Sequence, residues 1–213
     1  MKGKAVRKYV FSAFVLCVLL MSVPAYATLQ YTFDADTQGW TTVNDANFNG
    51  WQSSGGNPDG YIKATDKGYG STWYFVSPSL GDMSSYKGGT LSYDINLMYK
   101  SGSYFDNDEV IIKSGSSSMS WAPTTAHEPG TNTWTTYSVD LTSANFVVSS
   151  GTFDGILSNV TAICIRGEYI SGGDIEGLDN VKMTSAPVPL PLPILFLGSG
   201  LAGLAALRTR MLK

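Results

Sequence analysis

Histidine and cysteine are nearly absent. The 213-residue chain has one histidine and two cysteines. Cys17 lies in the N-terminal segment, so the body of the chain holds only Cys164 and no internal disulfide. Stability must come from a packed core, with or without a metal. A lone cysteine in an apolar stretch reads as a small buried hydrophobe. His127 sits in the polar loop Thr124-Thr-Ala-His-Glu-Pro129 with no neighbouring cysteine or histidine, which removes the usual zinc patterns. No Gly-x-Ser-x-Gly elbow occurs; Ser114-Gly-Ser-Ser-Ser-Met119 reads as a serine-rich turn. Glycoside hydrolysis requires two carboxyl groups across the scissile bond, and no motif singles out a pair. Little in the sequence fills the roles that an active site requires.

Basic residues are scarce where it matters. Of the 14, four lie in the first eight residues and three in the last six, while all 17 acidic residues lie between. The intervening region therefore carries a net charge of about −10. Such a surface repels nucleic acid and anionic lipid and is compatible with neutral glycans and divalent cations. Long amphipathic helices are lacking too, as are internal repeats and any sign of a second domain.

What is present begins with two apolar ends. Lys2, Lys4, Arg7 and Lys8 precede an apolar run, and Ala25-Tyr26-Ala27 fits a small-x-small cleavage pattern, so 1–27 is expected to be a signal peptide cut after Ala27 by signal peptidase. At the other end stands PVPLPLPILFLGSGLAGLAALRTRMLK. Residues 185–193 read as a stiff proline-rich linker. The apolar part, counted from Val188, is about 20 residues, the length a helix needs to span a bilayer. Its core is expected at 194–207, and 208–213 form a basic end on the cytoplasmic side. This motif, span and basic stop resemble the PEP-CTERM sorting signal of exosortase-processed bacterial proteins, with Val188-Pro189-Leu190-Pro191 similar to the VPLP variant of its motif. The resemblance implies an exported protein, anchored in the inner membrane until an exosortase-type enzyme processes it, then held at the surface or released.

The body is rich in Gly, Ser, Thr, Asn and aromatics. Strands are expected at 30–33, 60–65, 72–77, 90–99, 109–113, 119–121, 133–141, 161–166 and 178–184, with a short helix at 153–158. The clearest is Leu91-Ser-Tyr93-Asp-Ile95-Asn-Leu97, apolar on one face and polar on the other. Gly55-Gly56-Asn57-Pro58, Gly88-Gly89, Pro129-Gly130 and Gly172-Gly173 mark turns. Many short strands separated by turns mean an all-β sandwich.

Two stretches carry a family resemblance. Trp73-Tyr-Phe-Val-Ser-Pro78, Leu80-Gly81-Asp82, Tyr86-Lys-Gly-Gly89 and Leu91-Ser-Tyr93 form the first. Phe153-Asp-Gly-Ile-Leu157-Ser-Asn-Val-Thr161, Ile165-Arg166 and Leu178-Asp-Asn-Val181 form the second, with Asp108-Glu-Val-Ile-Ile112 between them. The body, 28–184, thereby resembles the laminin IV type A (laminin B) domain. The resemblance implies a jelly-roll β-sandwich related to galactose-binding-like and carbohydrate-binding modules, without catalytic residues. The chain departs from that pattern at 99–106 and 120–132, and these loops are where a ligand would be chosen.

Two kinds of site are expected. Asp34-Ala-Asp36-Thr-Gln-Gly39 echoes an EF-hand order, but Gln38 fits poorly and the flanks read as strands. Related jelly rolls imply instead one structural calcium between the first and last strands, with Asp34 and Asp179 as ligands; the rival reading makes Asp179 a turn-forming residue. For glycan, Trp51, Tyr104 and Trp121 lie in polar, loop-like surroundings that suit a binding face, or fold back over the core. Trp40, Trp73 and Trp134 read as core or half-buried. The expectation is a non-catalytic domain binding extracellular polysaccharide, the alternatives being a purely structural surface protein or a glycan-active enzyme.

Overall fold

The computed structural model describes residues 26–187, apart from 69 and 126. Ala27–Ala186 form one compact unit. The expected signal segment before Tyr26, the sorting motif Val188-Pro189-Leu190-Pro191 and the apolar helix at 194–207 lie outside the described residues. Among the described residues no helix is long and apolar enough to cross a membrane.

Two six-stranded antiparallel sheets face each other. The first runs β3 (Ala46–Gln52), β4 (Tyr61–Asp66), β12 (Asp174–Thr184), β6 (Thr90–Lys100), β9 (Thr135–Asp140), with β1 (Thr28–Tyr31) also on β12. β12 is long enough to serve two partners on one side: Ile175–Leu178 pair with β4, and Val181–Thr184 with β1. The second sheet runs β10 (Val147–Ser150), β8 (Ser117–Trp121), β7 (Val110–Ser114), β11 (Ala162–Arg166), β5 (Tyr74–Val76), β2 (Thr41–Val43). The two ends of the unit lie side by side: Thr28 is opposite Thr184, and Ser185 N–H donates to the Ala27 carbonyl at 2.9 Å.

Alternation builds the core. Leu91, Tyr93, Ile95 and Leu97 of β6 point inward, as do Ile62 and Ala64 of β4 and Leu178 of β12, and all are buried. They meet Phe75, Val110, Ile112, Met119, Ile163 and Ile165 of the other sheet in one cluster. A short helix α1 (Phe153–Leu157) adds Phe153, Ile156 and Leu157 to it. Thr152 caps that helix, its hydroxyl accepting the Gly155 N–H at 3.1 Å, the bond an N-cap supplies. Trp40 and Trp73 are fully buried, Trp134 half-buried, and Cys164 buried.

Three strands escape the sequence pattern. β2 has three residues. β10, Val147–Ser150, is exposed throughout, so no apolar alternation marks it. β3 reads as a turn because of its Asn and Gly; it bulges between Phe48 and Gly50, and Gly50 has φ 75°, a conformation glycine adopts without strain. β12 also starts at Asp174 rather than 178, its first residues being charged.

Candidate functional site

A polar cavity of about 320 Å³ opens at one end of the sandwich, lined by Asp106–Glu109, Ala122–Thr124, His127 and Arg166. Two loops build it, the β6–β7 and β8–β9 connections; Asp106, Ala122–Thr124 and His127 lie in the stretches that depart from the laminin B pattern, whereas Asp108 and Glu109 belong to a stretch that resembles it. Its floor is a buried ion pair. Arg166 ends β11 and Glu109 precedes β7, and their backbones are joined, Arg166 N–H donating to the Glu109 carbonyl at 2.9 Å. Arg166 Nη1 lies 3.2 Å from Glu109 Oε1. Glu109 Oε2 accepts the Tyr169 hydroxyl at 2.9 Å and the Tyr93 hydroxyl at 3.4 Å. Burial, with the nearby Glu109 carboxylate, drives the Tyr93 and Tyr169 phenols well above their usual range, so both stay protonated donors.

Arg166 is equally committed. Its Nε donates to the Glu168 carbonyl at 2.6 Å and its Nη2 to the Phe105 carbonyl. The guanidinium lies 4.7 Å from the Phe105 ring centre and 4.6 Å from that of Tyr169. Both Glu109 oxygens are thus engaged, one by the guanidinium and the other by two phenols. His127 stands at the rim. Its ring stacks on Tyr137 at 4.0 Å and meets the Trp121 ring edge-on at 5.4 Å. Its Nδ1 is 3.7 Å from Glu109 Oε2, too far for a hydrogen bond.

The structure divides the aromatics expected to meet a ligand. Tyr104 and Trp121 both border the His127 loop: the Tyr104 hydroxyl donates to the Pro129 carbonyl at 2.7 Å, and Trp121 touches His127. Both are partly buried against the core. Trp51 lies elsewhere, on the edge strand β3, 37% exposed, its indole N–H donating to the Phe33 carbonyl at 2.6 Å. The ion pair itself was not legible in the sequence, since Glu109 and Arg166 are 57 residues apart.

Asp34 and Asp179 differ in burial, yet the Asp34 charge reaches Asp179 and helps to raise its carboxyl. Asp34 Oδ2 accepts the Thr32 hydroxyl at 2.7 Å at an exposed turn. Asp179 is fully buried; its Oδ2 accepts Asn57 N–H at 2.6 Å and its Oδ1 accepts Asn180 N–H at 2.7 Å. Asn57 and Asn180 also donate to Asp94, whose Oδ1 accepts the Thr136 hydroxyl at 2.6 Å. The 55–59 loop is thus pinned over the outer face of the first sheet, and Asp94 of β6 is buried beneath it. Burial pushes the Asp179 carboxyl up to about 6, against the pull of its two N–H partners. Among the described residues no three His, Cys, Asp or Glu side chains form a ready-made metal cage.

Residues 73–191 match the family described as Laminin B (Domain IV). No curated protein matches the chain. Among solved structures, the L4b domain of human laminin alpha-2 is similar at 16% identity and a TM-score of 0.54, over 76% of this chain and 98% of that one. A family 11 carbohydrate-binding module from Clostridium thermocellum, in complex with a β-1,3-1,4-mixed-linked tetrasaccharide, is similar at 20% identity and 0.53, over 79% of this chain and 100% of that one. An exo-β-agarase is similar at 12% identity and 0.53, over 75% of this chain but 25% of the agarase. At these identities the shared property is the fold.

Proposed function

Because the chain belongs to the laminin B (Domain IV) family, we propose that its β-sandwich is a non-catalytic module that binds extracellular polysaccharide through the cavity between the β6–β7 and β8–β9 loops. The observation that carries this reading is the cavity itself. It is polar, of a size for one or two sugar units, and lined by Asp106, Asn107, Asp108 and Thr124, side chains that bond hydroxyl groups. The buried Glu109–Arg166 pair fixes its floor. The acidic body repels polyanions and favours a neutral glycan. A solved relative of the same fold holds a mixed-linked tetrasaccharide, which makes this ligand class a natural one to test.

In this reading the domain works outside the inner membrane. The basic-apolar segment ending at Ala25-Tyr26-Ala27 exports it. The VPLP-type tail anchors it until exosortase-type processing. A single shallow site binds in the micromolar-to-millimolar range, about 4–8 kcal/mol, and many surface copies raise the avidity.

A glycan array probed with the full chain, run beside a reducing-end assay on each polysaccharide retained, tests the proposal. Retention without release of reducing ends is expected. No retention on any neutral glycan would leave a purely structural role, and release of reducing ends would make the protein an enzyme.

A further inference from the structure

A second cluster lies inside the sandwich and takes no part in the cavity. Glu176 is on β12 opposite Leu97 of β6 and Ala64 of β4, both core residues. The register therefore turns its carboxyl into the core, and it is 0% exposed. No protein group donates to either of its oxygens. Two residues earlier, Asp174 is 1% exposed; its Oδ2 accepts the Tyr169 and Ile170 N–H groups at 3.1 and 3.2 Å, while its Oδ1 has no donor. The two carboxyls are within hydrogen-bond reach of each other. Asp66, at the end of β4, has a buried Oδ1 without a donor. Glu168 adds a fourth carboxylate, its Oε2 accepting Trp73 N–H at 3.1 Å. The charges felt by Glu176 are all acidic: Asp174, Asp66 and Glu168. Of the neighbouring cations, Lys100, opposite Asp174 in the strand pair, lies 4.0 Å over the Tyr104 ring, and Arg166 is spent on Glu109 and two carbonyls.

Buried carboxylates without donors are costly, and proteins resolve them by pairing with a cation, coordinating a metal, or keeping a proton. We propose that Asp174 and Glu176, flanked by Asp66 and Glu168, bind a divalent cation of the calcium class that ties the start of β12 to the end of β4 and the loop after β11. Oxygen-only ligands and a pliable set of carboxylates suit calcium, which completes its six to eight positions with carbonyls and water. The pairing of two carboxyls, rather than a closed cage of three, is the arrangement that a shared proton would also stabilise; the cation displaces that proton.

This site is separate from Asp34 and Asp179, and from the glycan cavity. The purified full chain is melted at about pH 7.5 in chelator and in calcium alone, as wild type, Glu176→Gln and Asp179→Asn. Terbium emission excited through tryptophan is titrated in parallel and competed with calcium, Trp73 being bonded to Glu168. The expected result is a melting temperature several degrees higher in calcium, by mass action on the folded state, with terbium emission that calcium displaces. Glu176→Gln loses both effects and Asp179→Asn keeps both. If calcium and chelator give one melt for the wild type, the cluster is held by a proton and the proposal falls. If the calcium effect survives Glu176→Gln but not Asp179→Asn, the metal belongs to the other site and the proposal also falls.

Discussion

Arg166 and Glu109 face each other at 3.2 Å with 1% and 0% of their side chains exposed, beneath a cavity open to solvent. Neither has a substitute partner of opposite charge among its hydrogen bonds. Breaking a buried pair from one side leaves an uncompensated charge, at a cost of about 3–5 kcal/mol. Glu109→Ala is therefore expected to lower unfolding stability by that order in urea titration. Glu109→Gln, which keeps the acceptor oxygen for a phenol, is expected to cost less. Equal stability of wild type and Glu109→Ala would show that the pair does not hold the cavity floor.

The pH dependence of stability should run opposite to ordinary acid denaturation. Burial raises the carboxyl of Asp174 to about 6 and that of Glu168 to about 7, and with the neighbouring acids it drives that of Glu176 well above the ordinary carboxylate range. Unfolded carboxyls titrate near about 4. Below that pH the contribution of these groups is fully present. As pH rises past about 4 the unfolded chain releases its protons first, and the contribution is lost progressively through the folded pKa values. In chelator, the full chain is expected to melt several degrees lower at about pH 7.5 than at about pH 5, with a shallower slope in Glu176→Gln. A melting temperature that rises over that window would contradict the assignment.

The nominated aromatics separate by environment. Trp121 packs on the core and touches His127, and the Tyr104 hydroxyl holds Pro129 in the same loop. Trp121→Ala is expected to lower stability by about 3 kcal/mol and to weaken glycan retention through the displaced loop. Tyr104→Phe removes one hydrogen bond, about 1 kcal/mol, and should weaken retention with a small change in melt. Trp51→Phe, on the far edge strand, should leave retention as it is. Loss of retention in Trp51→Phe alone would move the binding face to the first sheet.

The two ends of the sandwich lie side by side, Thr28 opposite Thr184. A reporter joined after Ala186 is expected to be active only outside the inner membrane. Replacing Arg208, Arg210 and Lys213 with neutral residues is expected to impair retention or processing of the tail. Cytoplasmic activity of the fusion would overturn the export reading.

Much of the fold was legible because burial imposes period two: Leu91, Tyr93, Ile95 and Leu97 announce β6, and Ile163 and Ile165 announce β11. β10 was not, since an exposed edge needs no apolar alternation. β3 was hidden by Gly50, whose bulge looks like a turn in one dimension. Asp106 and the His127 loop stood out as departures from the family pattern, but the ion pair beside them arises only when β7 and β11 meet. Glu176 was missed for a related reason. A carboxylate facing the core contradicts the rule that makes strands readable, so the apolar pattern marks β12 only from Leu178. The pattern puts Asp94 on a half-open face; the Asn57 loop, held by Asp179, covers it.

Binding of polysaccharide in the cavity is read out most directly by affinity electrophoresis of the full chain. The gels would contain a panel of neutral polysaccharides, mixed-linked β-1,3-1,4-glucan among them, with wild type run beside an Asp106→Ala/Thr124→Ala double variant. Both side chains are exposed on the cavity wall, so the variant should melt within about 0.5 kcal/mol of wild type. Retardation of the wild type by at least one polymer, and its loss in the variant, are expected. No retardation on any polymer, or equal retardation of both proteins, would contradict binding in the cavity.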